Sequence, residues 1–410
     1  MRQQQQTQKK QQKKRRAGDQ GQATTRVRQT LNVPALRKWM TEQPSLRPFF
    51  PSEGQETELV VRQFGFGQSN PTYKLDVVSR PSSFSQEPSV RSMVLRKKPV
   101  KVVHASAHAL HREFRVLQAL YRHNESTTKD RHVPVPQVYA YCQDTSVVGQ
   151  EFYVMEFVEG RIFTDPSLPG MTVTERRQAY RSVLQTLANL HAVDIHSVGL
   201  GDYGKPGNYA ARQIQRLLMV SARQTELSGT PFPELQAIAD QLSAAAPHCP
   251  NYRSLLHGDF KMDNMVFSKT APTVIGVLDW ELSTVGDPLC DVANLSMMYF
   301  MPPDQGLGIA GLQGMDLGRL GIPERPDLLR QYTQCNPALS LQQAQEWMGF
   351  YLAFLFFKNC VIVQGVAQRA KAGVASSAVA DRVASLLPMV VDLTQQILDQ
   401  YPPPTLASSL

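Results

Sequence analysis

His257-Gly258-Asp259-Phe260-Lys261-Met262-Asp263-Asn264, followed further on by Leu278-Asp279-Trp280-Glu281, is the stretch that decides how this chain is read. It holds an acid, an amide five positions later, and a second acid at the end of an apolar run. That order suits phosphoryl transfer from Mg-ATP, in which the first carboxylate takes the proton of an attacking hydroxyl while the amide and second carboxylate hold the metal. Asp259 is the candidate base. Asn264 and Asp279 are candidate Mg²⁺ ligands, oxygen donors of the kind Mg²⁺ accepts alongside phosphate and water. Each alone reads equally well as a turn former or helix cap, so the reading rests on their order. Lys261 is either a cation for the transferring phosphoryl group or an exposed loop lysine. His257 reads as a hydrogen-bonding support of the loop, and Asp263 as a second, dispensable acid.

Between the two segments, Met265-Val266-Phe267 and Val274 to Leu278 predict a short hairpin. Upstream, strand-like runs occur at Leu59-Val60-Val61, Tyr73 to Val78, Met93-Val94-Leu95, Val138 to Tyr141 and Phe152 to Met155. Leu36, Trp39 and Met40 have helical spacing, and a helix is predicted from His108 to Tyr121 with Leu110, Phe114, Leu117 and Leu120 on one face. Residues 122–131 are polar and predict a loop. After Gly160 helical periodicity dominates, as in Tyr180, Val183, Leu184, Leu187 and Leu190, and again over 344–365. The pattern predicts an α+β, two-lobed fold: a disordered basic tail over 1–30, a β-rich nucleotide-binding lobe over 31–157, a mainly helical catalytic and acceptor-binding lobe over 158–400, and a short tail over 401–410.

The β-rich part offers residues suited to a nucleotide. Phe64-Gly65-Phe66-Gly67-Gln68-Ser69-Asn70 lies between two strand-like runs, where Gly67 lets backbone N–H groups approach phosphates and Ser69 and Asn70 add donors. A hairpin turn explains the glycines equally well. Arg96 ends a strand and is a candidate cation for the α/β-phosphates, with Glu113 on the next helix to fix it; Lys97 and Lys98 are rivals. Glu156-Phe157-Val158 follows a strand and reads as the connection whose backbone receives adenine.

Bulk composition narrows the alternatives. Of 43 basic and 35 acidic side chains in 410 residues, nine basic and one acidic fall within residues 1–28, leaving 34 of each sign in the remainder. The body therefore gives no electrostatic case for nucleic acid, and the tail reads as a solvated low-complexity segment. Cys142, Cys249, Cys290, Cys335 and Cys360 are odd in number and scattered, which suggests neither zinc nor a secreted disulfide framework. The apolar run from Phe350 to Val366 carries Lys358, Asn359 and Gln364 and reads as a buried helix, with no membrane association expected. An intracellular location is expected, cytoplasmic first, with mitochondrial or peroxisomal alternatives; Ser408-Ser409-Leu410 lacks the basic middle residue of a peroxisomal address. Oligomeric state is not encoded in any of these features.

Together these residues resemble the aminoglycoside phosphotransferase and choline kinase group of small-molecule kinases, whose HGD, four residues, Asn and later Asp-Trp signature is intact here. Gly286-Asp287-Pro288-Leu289-Cys290-Asp291 is similar to that group's GDPxxD segment, which implies that Asp291 braces the catalytic loop. Gly67 to Tyr73, Val94 to Pro99, Leu190 to Asp194, Gly204 to Tyr209 and Asp279 to Thr284 are similar to the kinase-like region of the two-part acyl-CoA dehydrogenases. That resemblance covers residues 31–400. It implies a protein-kinase-like fold, ATP and Mg²⁺ as cofactors, and a small hydroxylated acceptor such as a 4-hydroxyacyl-CoA or related hydroxy acid. Arg96 departs from the lysine common at its position, and the third glycine of a protein-kinase loop is absent. A non-catalytic kinase-fold scaffold or binding module is the alternative from another class, suggested by the tail and by Arg96.

Overall fold

The computed structural model describes residues 22, 24–25, 31–50, 56–64, 70–80, 89–100, 109–229, 231–303, 310–371 and 383–404. Most of the basic tail, and Gly67 and Ser69 of the glycine turn, lie outside the described residues. The chain forms two compact units, the first comprising 1–164, 168–171 and 263–282, the second 165–167, 172–262 and 283–410.

Side-chain alternation builds the first unit. Tyr73, Leu75 and Val77 are every second residue of their strand and are fully buried, because successive side chains of a strand face opposite ways. The sheet contains β1 (Thr24–Thr25), β2 (Thr57–Phe64), β3 (Thr72–Ser79), β4 (Ser89–Lys97), β5 (Val138–Cys142) and β6 (Phe152–Glu156), in the antiparallel order β1-β2-β3-β4-β6-β5. Its register pairs Val61 with Leu75, Leu75 with Met93, and Leu95 with Val154. Helix α1 (Val33–Glu42), capped by the Asn32 side chain accepting from the Ala35 N–H, buries Leu36 and Met40 in the same core. Helix α2 (Leu110–Ser126) buries Leu110, Leu117 and Leu120 as expected.

Where a loop is predicted over 122–131, α2 instead continues to Ser126 and a 3₁₀ turn spans Lys129–Arg131. The polar residues there are the exposed end of an amphipathic helix. Asn124 also has a tertiary role: its side chain accepts from the Val133 N–H at 2.9 Å and donates to the Val133 carbonyl at 2.7 Å.

The second unit begins with α3 (Val173–His191), started by a reciprocal capping box between Thr172 and Glu175, then α4 (Tyr209–Ser228), α5 (Pro233–Ala245) and β7 (Ser254–Leu256). The chain then returns to the first unit for the predicted hairpin, β8 (Met265–Phe267) and β9 (Val274–Val277), before β10 (Thr284–Gly286) pairs antiparallel with β7. Helices α6 (Leu289–Ser296), α7 (Arg325–Cys335), α8 (Leu341–Lys371) and α9 (Leu387–Gln400) complete it. Helix α8 is long and apolar enough to cross a membrane, yet 67% of its apolar window is buried within the protein, consistent with a core helix.

The β8–β9 hairpin is held in the first unit by a backbone bridge between Arg161 and Phe267 and by the close approach of Gly160. A Cβ at Gly160 would lie 2.3 Å from the Phe267 carbonyl oxygen and 2.5 Å from Val266 Cγ1, and neither neighbour is the free end of a flexible side chain. Gly160→Ala is expected to destabilise the protein by about 1–3 kcal/mol through overpacking, read as a lower midpoint in urea denaturation.

Candidate active site

Arg96 is the centre of the first unit's half of the candidate residues. On β4, neighbouring side chains face opposite ways, so Arg96 and Lys97 cannot serve the same surface. Arg96 is buried, with its Nε 3.0 Å from Glu113 Oε2 on α2, though the N–H is not aimed well enough to form a hydrogen bond. Its Nη2 lies 2.5 Å from Asp279 Oδ1 and 3.4 Å from Glu281 Oε2. Asn70 donates its side-chain N–H to the same Glu281 oxygen at 2.9 Å. Lys97 instead donates to the Val148 carbonyl at 3.2 Å, and Lys98 pairs with Glu151 at 2.5 Å.

Among the described residues, three carboxylates lie within ion-pair distance of the Arg96 guanidinium in a partly desolvated place. Burial pushes the Glu113 carboxyl up to about 7, against the pull of Arg96 and with the repulsion of Asp279 and Glu281. Burial would lower Arg96, but Glu113, Asp279 and Glu281 outweigh it and hold the guanidinium firmly protonated.

The hairpin brings the two candidate metal ligands into one local structure. Asn264 closes a 3₁₀ turn directly before β8, and its carbonyl accepts from the Leu278 N–H at 2.8 Å. Asp279 is next, with a φ of +66°, in the left-handed region that few residues other than glycine adopt but that aspartate tolerates. Trp280, fully buried, donates its indole N–H to the Val277 carbonyl at 2.9 Å and anchors the turn after Asp279.

In the second unit Asp291 gathers the loop that carries Asp259. Its buried carboxylate accepts from the His257 N–H at 2.7 Å and the Gly258 N–H at 2.9 Å. His191 on α3 stands 3.3 Å from the same carboxylate, and its other ring nitrogen lies 2.7 Å from the Tyr332 hydroxyl. Gly258 has a φ of +82°, so a side chain there would strain the loop. Asp259 Oδ2 lies 3.2 Å from Lys261 Nζ, and Lys358 on α8 donates to the Gly258 carbonyl at 3.3 Å. Burial would raise the Asp259 carboxyl, but Lys261, Lys358 and His257 hold it below the ordinary carboxylate range. The group is therefore ionised at neutral pH.

Among the remaining candidates, Glu156 is exposed and accepts from the Gln137 N–H at 3.1 Å. The Val158 carbonyl accepts from the Gln22 side chain at 2.8 Å, and Phe157 between them stacks on Phe64. Asp263 is exposed. Glu281 and Lys358, and with them His191 and Tyr332 beside Asp291, have no site role in the sequence reading. Glu281 sits two residues after a stronger candidate, and Lys358 is nearly a hundred residues beyond the catalytic loop. The signal for Lys358 is a cation in the middle of the mainly apolar run from Phe350 to Val366.

Residues 60–329 match the family model of the phosphotransferase enzyme family, and the chain belongs to that family. It is 35% identical over 372 residues to mouse acyl-CoA dehydrogenase family member 10, covering 90% of this chain and 32% of that protein, so it spans about a third of this relative's length. It is similar to a solved structure from Ralstonia eutropha JMP134 assigned to the aminoglycoside phosphotransferases, at 35% identity and a TM-score of 0.69, covering 90% of this chain and 99% of that one. A thermostable variant of aminoglycoside phosphotransferase APH(4)-Ia, in ternary complex with ADP and hygromycin B, shares the fold at 16% identity and a TM-score of 0.51, covering 82% and 95% of the two chains.

Asp287, four residues before Asp291, accepts from the Leu289 N–H at 2.9 Å and the Tyr252 N–H at 3.4 Å. Burial nevertheless pushes its carboxyl up to about 7, from an ordinary 3.8. The folded protein then binds more protons here than the unfolded chain between those values, so this group makes stability fall as pH rises through that window. Asp287→Asn keeps the capping geometry and is expected to flatten the decline, checked by thermal unfolding of both proteins from pH 4 to 8.

Proposed function

We propose that this chain is a small-molecule kinase that moves the terminal phosphoryl group of ATP to an alcohol, with Asp259 as the base. The observation that carries the proposal is the Asp259 carboxylate, held ionised beside Lys261 and Lys358 on a loop fixed by Asp291. A carboxylate in that state can orient an acceptor hydroxyl and take its proton as the new oxygen–phosphorus bond forms and the bond to the departing ADP breaks. Lys261 is assigned to the charge that develops on the phosphoryl group.

In this reading Asn264 and Asp279, oxygen donors of the kind Mg²⁺ accepts, hold the metal. The metal supplies neutralisation of the phosphate oxygens. Arg96 faces the α/β-phosphates with Glu113 fixing it, and Asn70 acts through Glu281. The backbone from Glu156 to Val158 receives adenine. The ADP held by APH(4)-Ia supports a nucleotide, and the identity with acyl-CoA dehydrogenase family member 10 supports a hydroxylated acyl thioester, such as a 4-hydroxyacyl-CoA, as acceptor.

Mass spectrometry of products from Mg-ATP with 4-hydroxyacyl-CoAs, choline and an aminoglycoside is expected to give one phosphorylated acceptor class. Asp259→Ala should lower its formation by about 10²–10⁴-fold. Asp279→Ala should abolish Mg-dependent ATP binding measured by calorimetry. Folded protein that binds ATP equally well with and without Mg²⁺, and phosphorylates nothing, would instead indicate a scaffold. Lys358→Met removes a cation that lowers the Asp259 carboxyl, so the acid limb of kcat/KM should move to higher pH.

A further inference from the structure

A cavity of about 180 Å³ lies in the second unit, lined by Ser296 of α6, Arg325 and Leu329 of α7, Met348 and Gly349 of α8, and Tyr401. The Arg325 guanidinium carbon sits 4.3 Å from the Tyr401 ring centroid and 5.5 Å from that of Phe300. The guanidinium carbon thus lies over the faces of both rings, and among the described residues its N–H groups donate no hydrogen bond, so they are available to an acceptor. Among the described residues no carboxylate lies within ion-pair distance of Arg325, and the nearby Asp327 is paired with Arg330. The wall is fixed by glycine: a Cβ at Gly349 would lie 2.4 Å from both the Tyr401 carbonyl oxygen and its Cβ, so only a bare backbone lets Tyr401 seat against α8.

From this arrangement we infer that the cavity binds a small organic carboxylate. A carboxylate matches the fork of an arginine edge with two parallel hydrogen bonds. Leu329, Met348 and the Tyr401 ring give its carbon body an apolar surface. The volume is slightly above that of a cavity that accepts benzene, which suits an apolar body of about six heavy atoms. The site is separate from Asp259: Met348 lies ten residues before Lys358 on α8, roughly 15 Å along the helix axis. The inference is independent of the kinase proposal, since it requires neither nucleotide nor turnover.

The test is calorimetric titration of the full chain with benzoate and hexanoate, beside hexanol, which lacks the charge, and inorganic phosphate, which lacks the carbon body. Saturable binding of both carboxylates is expected in about the millimolar range, as befits ligands of this size. Hexanol and phosphate should bind at least about tenfold more weakly. Arg325→Gln should weaken carboxylate binding by a similar factor, and Asp259→Ala should leave it unchanged. Met348→Trp, which fills the cavity and keeps the guanidinium, should abolish binding and serves if Arg325→Gln fails to fold. Absence of saturable carboxylate binding, equal affinity in folded Arg325→Gln or in Met348→Trp, or loss in Asp259→Ala would each overturn the inference; equal binding of phosphate would overturn the apolar part of it.

Discussion

A single buried guanidinium answering three carboxylates is the constraint on which the first unit is organised. Arg96 comes from a central strand, Glu113 from the helix after it, and Asp279 and Glu281 from the end of a hairpin, Glu281 being 185 residues away in sequence. A lysine could not replace it without loss. Its ammonium is a compact point charge, whereas the planar fork reaches Glu113 through one nitrogen and the hairpin acids through another. Removing the charge would leave the buried Glu113 without its cation, an error that costs about 3–5 kcal/mol. The arginine that departs from the common lysine therefore has a structural reason: it spans more carboxylates than a lysine would.

The second unit meets a comparable problem with the opposite charge. Asp291 is a buried carboxyl group whose partners include two backbone N–H groups and a histidine. Backbone donors cannot be titrated away and their positions are set by the loop itself, so the carboxylate fixes the loop's conformation more than its charge state. The positive φ of Gly258 follows from this, because both N–H groups must turn toward one carboxylate. A loop held this way presents Asp259 from a rigid base, as a group that must meet a hydroxyl at hydrogen-bond distance requires.

What could be read from the sequence follows the range of the interactions involved. The spacing of Asp259, Asn264 and Asp279 is local, and the hairpin between the last two was visible as two apolar runs. The faces of the strands were visible through alternation, but nothing in Arg96-Lys97-Lys98 says which face meets a helix carrying Glu113. That depends on the pairing of β4 with β3 and β6 and on the packing of α2. The end of α2 is not legible because Arg122, His123 and Asn124 are as polar as a loop, and the clamp of Asn124 on Val133 is a tertiary contact. Lys358 was seen only as an interruption in an apolar run. Its place beside the catalytic loop depends on how α8 packs against the rest of the second unit, which periodicity does not report.

The excursion of residues 263–282 into the first unit has a consequence for biosynthesis. The six-stranded sheet can form once the chain has emerged to Glu156, but the charge partners Asp279 and Glu281 arrive more than a hundred residues later. Until then Arg96 and Glu113 must pair with each other and with solvent. The first unit is thus completed only after α3, α4 and α5 of the second have left the ribosome. Because domains generally fold in order of synthesis, the six-stranded sheet can form before the separate β8–β9 hairpin that completes its unit is made. Neither unit can be excised as one uninterrupted piece of the gene.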